Sequence, residues 1–201
     1  IEALAEAHRE EFEAVSACIF EHPELAFQEK MAQNELCSLL ERHGFSVKRG
    51  AGSLDTAFVA EYNSGKPGMT FAFLCEYDAL PELGHACGHN AHCAMAVLAA
   101  LALAEAKDQF QGTVYAFGTP AEEENGAKIG MAANGAFDGM SLATMIHSWS
   151  GPASISDMDV FSLRCYLVEF KGTSAHAVAG LDGVVQVLDV QIDAEARLKV
   201  V

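Results

Sequence analysis

Met69-Thr70-Phe71-Ala72-Phe73-Leu74 is the stretch on which the fold turns. Five of its six residues are apolar and none is a glycine or proline, so it reads as a strand covered on both faces rather than an alternating surface strand. One residue further on, after Cys75, comes Glu76-Tyr77-Asp78. Acids placed directly after a buried strand belong to the ligand-binding edge of an α/β sheet, where sites form beyond the carboxyl ends of strands. Two later segments repeat the pattern: an apolar run at 113–117 leads into Pro120-Ala121-Glu122-Glu123-Glu124, and another at 142–146, read as a buried strand, leads into His147. Before them, 45–48 and 56–62 read as further strands.

Helical segments fill the intervals. The first forty residues read as two helices, one with Leu4, His8, Phe12, Val15 and Ile19 at helical spacing, the other spanning 29–43 and stopped by Gly44. An Ala- and Leu-rich helix is expected over 91–106 and a short one over 127–133. Strands alternating with helices predict an α/β chain with a mixed, partly parallel sheet flanked by helices. Composition shifts near Ser150-Gly151-Pro152, and 160–170 reads as a longer strand opening a second domain.

Composition narrows the function classes. Of 201 residues, 51% are hydrophobic and the mean hydropathy is +0.15, which suits a packed core and excludes a disordered chain. The net charge of −16 opposes binding to nucleic acid or an anionic membrane. The longest apolar run, 93–104, is too short to span a bilayer. The opening residues Ile1-Glu2-Ala3-Leu4-Ala5-Glu6 show no signal peptide, and six irregularly spaced cysteines do not form a disulfide framework, so a reduced, cytoplasmic protein is expected.

Chemistry concentrates in His85-Ala86-Cys87-Gly88-His89-Asn90-Ala91-His92. A thiolate and an imidazole two residues apart, across a glycine at a strand-to-helix turn, can face one pair of cations. Read alone, the cluster is also a polar helix start, residues 122–124 are also a solvated helix N-terminus, and His147 is also a strand-end histidine. Asp78 is either a turn acid or the partner of a ligating imidazole. Their placement after successive strands favours one joint site, in which Cys, His, Glu and His suit Zn²⁺ or another late first-row ion.

Five motifs in order, His22-Pro23-Glu24-Leu25, Glu76-Tyr77-Asp78-Ala79-Leu80-Pro81, Gly84-His85-Ala86-Cys87-Gly88-His89-Asn90, Gly118-Thr119-Pro120-Ala121-Glu122-Glu123 and Gly172-Thr173-Ser174-Ala175-His176-Ala177, carry a resemblance. From about residue 10 to 178 the chain resembles the co-catalytic zinc metallopeptidase and amidohydrolase family of aminoacylases, hippurate hydrolase and indole-acetyl-amino-acid hydrolases. It is most similar there to the p-aminobenzoyl-glutamate hydrolase and dipeptidase-like branch.

The resemblance implies a two-metal amidohydrolase acting on N-acyl amino acids or dipeptides. It uses zinc first, with manganese or cobalt as alternatives. By motif position it implies Cys87, His89, Glu123 and His147 as ligands, Glu122 as general base, Asp78 as orienter of a ligand, and His176 as an oxyanion-stabilising residue reaching across a homodimer or related heteromer. Asn90 departs from the family's usual Asp. Family members are about twice as long, and nothing after His176 supplies their final histidine ligand. Residues 1–155 are therefore expected to form part of a catalytic domain, and 156–201 the beginning of a lid or dimerisation domain. A Cys87 thiol hydrolase working with His89 or His85, and a non-catalytic subunit retaining the fold, are the competing readings.

Overall fold

A computed structural model describes residues 1–106, 109–124, 126–149 and 151, together with the backbone of Val190–Ile192 and Leu198–Val200. The chain divides into two compact units, Ile1–Gly151 and Pro152–Val201. In the first unit the order is α1 (Glu2–Ala7), α2 (Arg9–Glu21), α3 (Lys30–Arg42), β1 (Ser46–Arg49), a 3-10 turn (Ala51–Ser53), β2 (Phe58–Asn63), β3 (Met69–Cys75), α4 (His89–Glu105), β4 (Gly112–Gly118), α5 (Ala127–Ala133) and β5 (Leu142–Thr144). In the second, β6 (Val190–Ile192) pairs antiparallel with β7 (Leu198–Val200). The expected strand over 160–170 and the motif containing His176 lie outside the described residues.

The sheet of the first unit runs β1-β2-β4-β3-β5. β1 and β2 are antiparallel, as are β2 and β4, whereas β3 is parallel to both β4 and β5. The carboxyl ends of β4, β3 and β5 therefore emerge side by side. β4 and β3 are held in step there by Thr119, whose N–H and hydroxyl both donate to the Cys75 carbonyl, at 2.8 and 2.9 Å.

α4 packs against β3 and β4 on one side and α1, α2 and α3 on the other. It has no polar face after its first turn, because Ala94, Ala96, Ala100, Ala102 and Ala104 are all buried. Small side chains let the surrounding elements approach a helix that is mostly enclosed, with Met95 exposed on its open side. Phe12, Val15 and Ile19 of α2 and Leu36, Cys37, Leu39 and Leu40 of α3 complete this layer. Each such aliphatic side chain contributes roughly 1.5–3 kcal/mol on burial.

The His22-Pro23-Glu24 motif gains a structural account. The Glu24 carboxylate accepts from the main-chain N–H of Met31 and Ala32, both at 2.9 Å, and so satisfies donors that open α3. The Glu24 carbonyl accepts from Ala79 N–H at 2.9 Å, tying the helix start to the loop after β3.

Three expectations are corrected. The first helix is two, α1 and α2, broken at His8, whose φ of −106° and ψ of 2° leave the helical region; an apolar spacing that continues through a kink does not register it. β3 is not equally covered, for Ala72 and Cys75 are buried while Met69 is 51% exposed. The run at 142–146 is not a buried strand: β5 has only β3 beside it among the described residues, and Leu142, Met145 and Ile146 are exposed. An apolar run looks alike whether a strand is central or at an edge.

Candidate active site

α4 begins at the site, and Gly88 is what allows it to begin there. Gly88 is the residue before the helix, with φ +85°, a left-handed value that favours glycine, and a Cβ at this position would come within 3.3 Å of both His92 Nε2 and Ser148 Oγ. With the turn made, Cys87 precedes the helix and His89 and His92 share one face of its first turn.

His89 is fully buried. Its Nδ1 donates to the Asp78 carbonyl at 3.0 Å, and Asp78 Oδ1 lies 3.2 Å away, less well aligned with the N–H. The N–H of Glu123 donates to Asp78 Oδ2 at 2.9 Å. One carboxylate after β3 thus steadies both the imidazole and the loop after β4. Burial alone would raise the Asp78 carboxyl, but hydrogen bonds from His89 and from the Glu123 and Glu122 N–H groups hold it below the ordinary aspartate value.

With Nδ1 engaged, His89 Nε2 faces inward among acceptors. It lies 3.5 Å from Glu76 Oε2, 3.8 Å from Glu122 Oε2 and 3.9 Å from Glu123 Oε1. His89 Nε2, Glu76 Oε2 and Glu123 Oε1 are buried without a hydrogen-bond partner. Burial by itself lowers an imidazole, yet Asp78 and Glu76 raise His89 above its usual value. Lys128 of α5 reaches Glu76 with its ammonium, the one fixed cation among the described residues set against Glu76, Asp78, Glu122 and Glu123.

His147 closes the site from β5. Its Nδ1 donates to the Ser148 carbonyl at 2.8 Å, so Nε2 carries the lone pair, 3.5 Å from Cys87 Sγ. Two further bonds fix this approach. Ser148 N–H donates to His92 Nε2 at 2.7 Å, and Ser148 Oγ donates to the Cys87 carbonyl at 2.9 Å. Burial, with His147 and His89 adjacent, pushes His92 down to about 4, which keeps its ring neutral and available as that acceptor at neutral pH.

The donor set fits divalent cations. Cys87, His89 and Glu123 present ligand atoms within 4.8 Å of one another, as do Glu76, His89, His92 and His147. Sulfur, imidazole nitrogen and carboxylate oxygen together favour a late first-row ion, and acceptors facing one another without a donor are where a cation belongs. Glu122 is less enclosed than Glu123, with side-chain exposures of 37% and 18%. Its carboxyl is raised by burial and by Glu76, with Lys128 opposing, the direction a proton-transferring carboxylate needs.

The sequence-derived residues Asp78, Cys87, His89, Glu122, Glu123 and His147 are thereby gathered around one space, while His176 lies outside the described residues. Glu76, His92 and Lys128 carry no role in the sequence reading. The i, i+3 spacing of His89 and His92 after Gly88 was the available signal for His92, and the end of β3 for Glu76. The thiol-hydrolase reading is not supported: the partner of Cys87 is His147 rather than His89 or His85, and burial with nearby Glu123, Glu122 and Glu76 pushes the thiol up to about 11, opposite to an activated nucleophile.

Residues 72–193 match the model of peptidase family M20/M25/M40. The chain is 37% identical over 201 residues to an Xaa-Arg dipeptidase of Mus musculus, covering 93% of this chain and 46% of that protein. It is 33% identical over 196 residues to one subunit of the p-aminobenzoyl-glutamate hydrolase of Escherichia coli, covering 88% of this chain and 40% of that subunit. It therefore spans under half the length of these relatives. Among solved structures, a dinuclear metal-binding peptidase of the M20 family from Bacillus subtilis superposes with a TM-score of 0.62 at 27% identity, covering 69% of this chain and 42% of that one. The motifs quoted from the sequence, the mixed sheet and the matched family model agree, and the chain belongs to peptidase family M20/M25/M40.

Proposed function

We propose that this chain carries the metal-binding and proton-transferring part of a divalent-metal-dependent hydrolase of amide bonds in small N-acyl amino acids or dipeptides, p-aminobenzoyl-glutamate-like compounds included. The observation that carries the reading is the meeting of Cys87 Sγ and His147 Nε2 at 3.5 Å, beside buried, partnerless atoms of His89, Glu76 and Glu123. The dipeptidase and hydrolase relatives support the substrate class.

Cys87, His89, Glu123 and His147 would hold two divalent cations, zinc being favoured by the thiol. When bound, such ions supply Lewis acidity and lower the pKa of water. The chain's own residues do the rest. Asp78 keeps His89 in the tautomer whose Nε2 faces the site. Glu122, with its raised carboxyl, takes the proton of the attacking water and returns it to the leaving amine. His92 and Ser148 hold the β5 exit against Cys87. Lys128 offsets part of the carboxylate charge.

His176, by its motif position, is assigned to the oxyanion, reached across a homodimer or a related heteromer; the subunit designation of one relative supports an assembly. Among the described residues no helix is long and apolar enough to cross a membrane, and the free thiols of Cys18, Cys37, Cys75, Cys87 and Cys93 suit the proposed reducing cytoplasm.

The test is Glu122→Gln in the full chain, assayed on N-acyl amino acids, dipeptides and p-aminobenzoyl-glutamate with Zn²⁺ or Mn²⁺. Metal content measured by elemental analysis should stay at the wild-type value while turnover falls by about 10²–10⁴-fold. Unchanged turnover, or a wild-type chain that binds no divalent ion, defeats the assignment.

A further inference from the structure

At the opposite end of α4 a second cluster forms that the hydrolytic reading does not use. His8 Nε2 lies 3.0 Å from Glu105 Oε1. The rings of His8 and His43 meet edge to face with centroids 4.9 Å apart. His8, His43 and Glu105 offer ligand atoms within 4.8 Å of one another. His43 Nε2 also lies 2.8 Å from Glu11 Oε2, whose other oxygen accepts from Arg42 at 3.0 Å. These are not freely solvated groups: the side chains of His8 and His43 are 20% and 19% exposed.

Helix geometry gives the cluster its electrostatic character. His8 is the residue ending α1, His43 the residue ending α3, and Glu105 the last residue of α4. Three helix C-termini, each with partial negative charge on its last carbonyls, deliver these side chains to one point, and the last turn of α4 has no basic residue. A carboxylate at a helix C-terminus is unfavourable by itself. It becomes favourable against a cation, and two imidazole nitrogens with one carboxylate oxygen form a ligand set for Zn²⁺ or its late first-row neighbours. Tetrahedral zinc places ligand atoms about 3.3 Å apart, given bonds of 2.0–2.1 Å, so an ion here draws the three groups closer than the 4.8 Å within which they lie and takes His43 Nε2 from its contact with Glu11. His8 stands at the break between α1 and α2, where its ring meets Glu105.

We propose that His8, His43 and Glu105 form a separate site for a Zn²⁺-class ion that clamps the ends of α1, α3 and α4. Glu105 lies sixteen residues along α4 from His89, or about 24 Å, so this ion is not part of the hydrolytic cluster. Its role is to staple the helical layer.

The experiment is equilibrium dialysis of the full chain against Zn²⁺, with elemental analysis and thermal unfolding, on wild type, the His8→Ala/His43→Ala double variant and Glu105→Gln. The double variant should bind one ion fewer per chain and lose the zinc-dependent rise in melting temperature attributable to that ion, with the same rate of substrate hydrolysis as wild type. Glu105→Gln retains both rings and should weaken zinc binding at this site by about 10-fold or more; it serves as the reading if the double variant does not fold. A Cys87→Ala/His147→Ala variant should still bind an ion here, which separates this site from the hydrolytic one. Equal zinc stoichiometry and affinity in wild type and Glu105→Gln, or uptake of Mg²⁺ as readily as Zn²⁺, overturns the proposal.

Discussion

Replacing Asp78 by Asn removes one charge while keeping the volume, and the structure sets what is lost. The carboxylate accepts from Glu123 N–H at 2.9 Å and places Oδ1 3.2 Å from His89 Nδ1. Hydrogen bonds to a charged group are worth about 1.5–3 kcal/mol and neutral ones about 0.5–1.5, so the two contacts together lose roughly 2–3 kcal/mol. Part of this is spared at His89, whose Nδ1 keeps the residue 78 carbonyl at 3.0 Å and with it the correct tautomer. The remainder corresponds to a cation affinity lower by about 10–100-fold. Competition of the protein with a chromogenic chelator for Zn²⁺ reads that loss directly, and urea unfolding of the same samples without zinc reads the stability change separately. If Asp78→Asn lowers the unfolding midpoint but leaves zinc affinity within twofold of wild type, Asp78 is a loop anchor only, and its place in orienting His89 is wrong.

Two further outcomes follow from groups around the site. Glu29 is fully buried and accepts from Ala121 N–H at 2.8 Å, steadying a residue at φ +55° directly before Glu122 and Glu123. Burial raises the Glu29 carboxyl, with hydrogen bonds from the Glu29 and Ala121 main chain opposing. A raised folded value means the folded state binds more protons, so this group's contribution to stability falls as pH rises from the ordinary glutamate value through the raised one. The melting temperature of wild type minus that of Glu29→Gln should therefore decrease across that window, and a flat difference would exclude titration of Glu29. Gly118→Ala should destabilise by about 1–3 kcal/mol in urea unfolding, because a Cβ there collides with the Phe58 ring and comes within 2.6 Å of the Tyr77 hydroxyl; an unchanged midpoint would mean that β2 and β4 move apart at no cost.

Most of the sheet was legible because its strands are short apolar runs bounded by glycine, proline or acids; the helical periods of α2 and α3 are regular, and α4 stood out by its run of Ala and Leu. What escaped was whatever depends on neighbours far along the chain. Nothing local marks residues 142–146 as an edge, and nothing in the spacing of Leu4, Phe12 and Val15 marks His8 as a break, since the pairing of His8 with Glu105 spans 97 positions. The site divides the same way. Cys87, His89, Glu122, Glu123 and His147 were identifiable by residue type and by their place after strands, whereas Glu76 and Lys128 meet only because α5 brings an ammonium to the end of β3.

That meeting bears on why the cluster survives in a folded chain. A buried acceptor left without a partner costs about 1–3 kcal/mol, and His89 Nε2, Glu76 Oε2 and Glu123 Oε1 are all of this kind. A protein whose net stability is about 5–15 kcal/mol does not carry such a set for packing, since apolar side chains of similar size would pack better. Lys128 neutralises only one carboxylate of the group, and the surrounding chain, at −16 overall, adds to the negative potential rather than relieving it. Of these atoms, His89 Nε2 and Glu123 Oε1 belong to the proposed ligands, and Glu76 Oε2 lies 3.5 Å from His89 Nε2. Ion binding at this end of the sheet and stability of the fold are then linked quantities, and a substitution that fills the space with apolar atoms should stabilise the ion-free chain while it removes ligand atoms from the site.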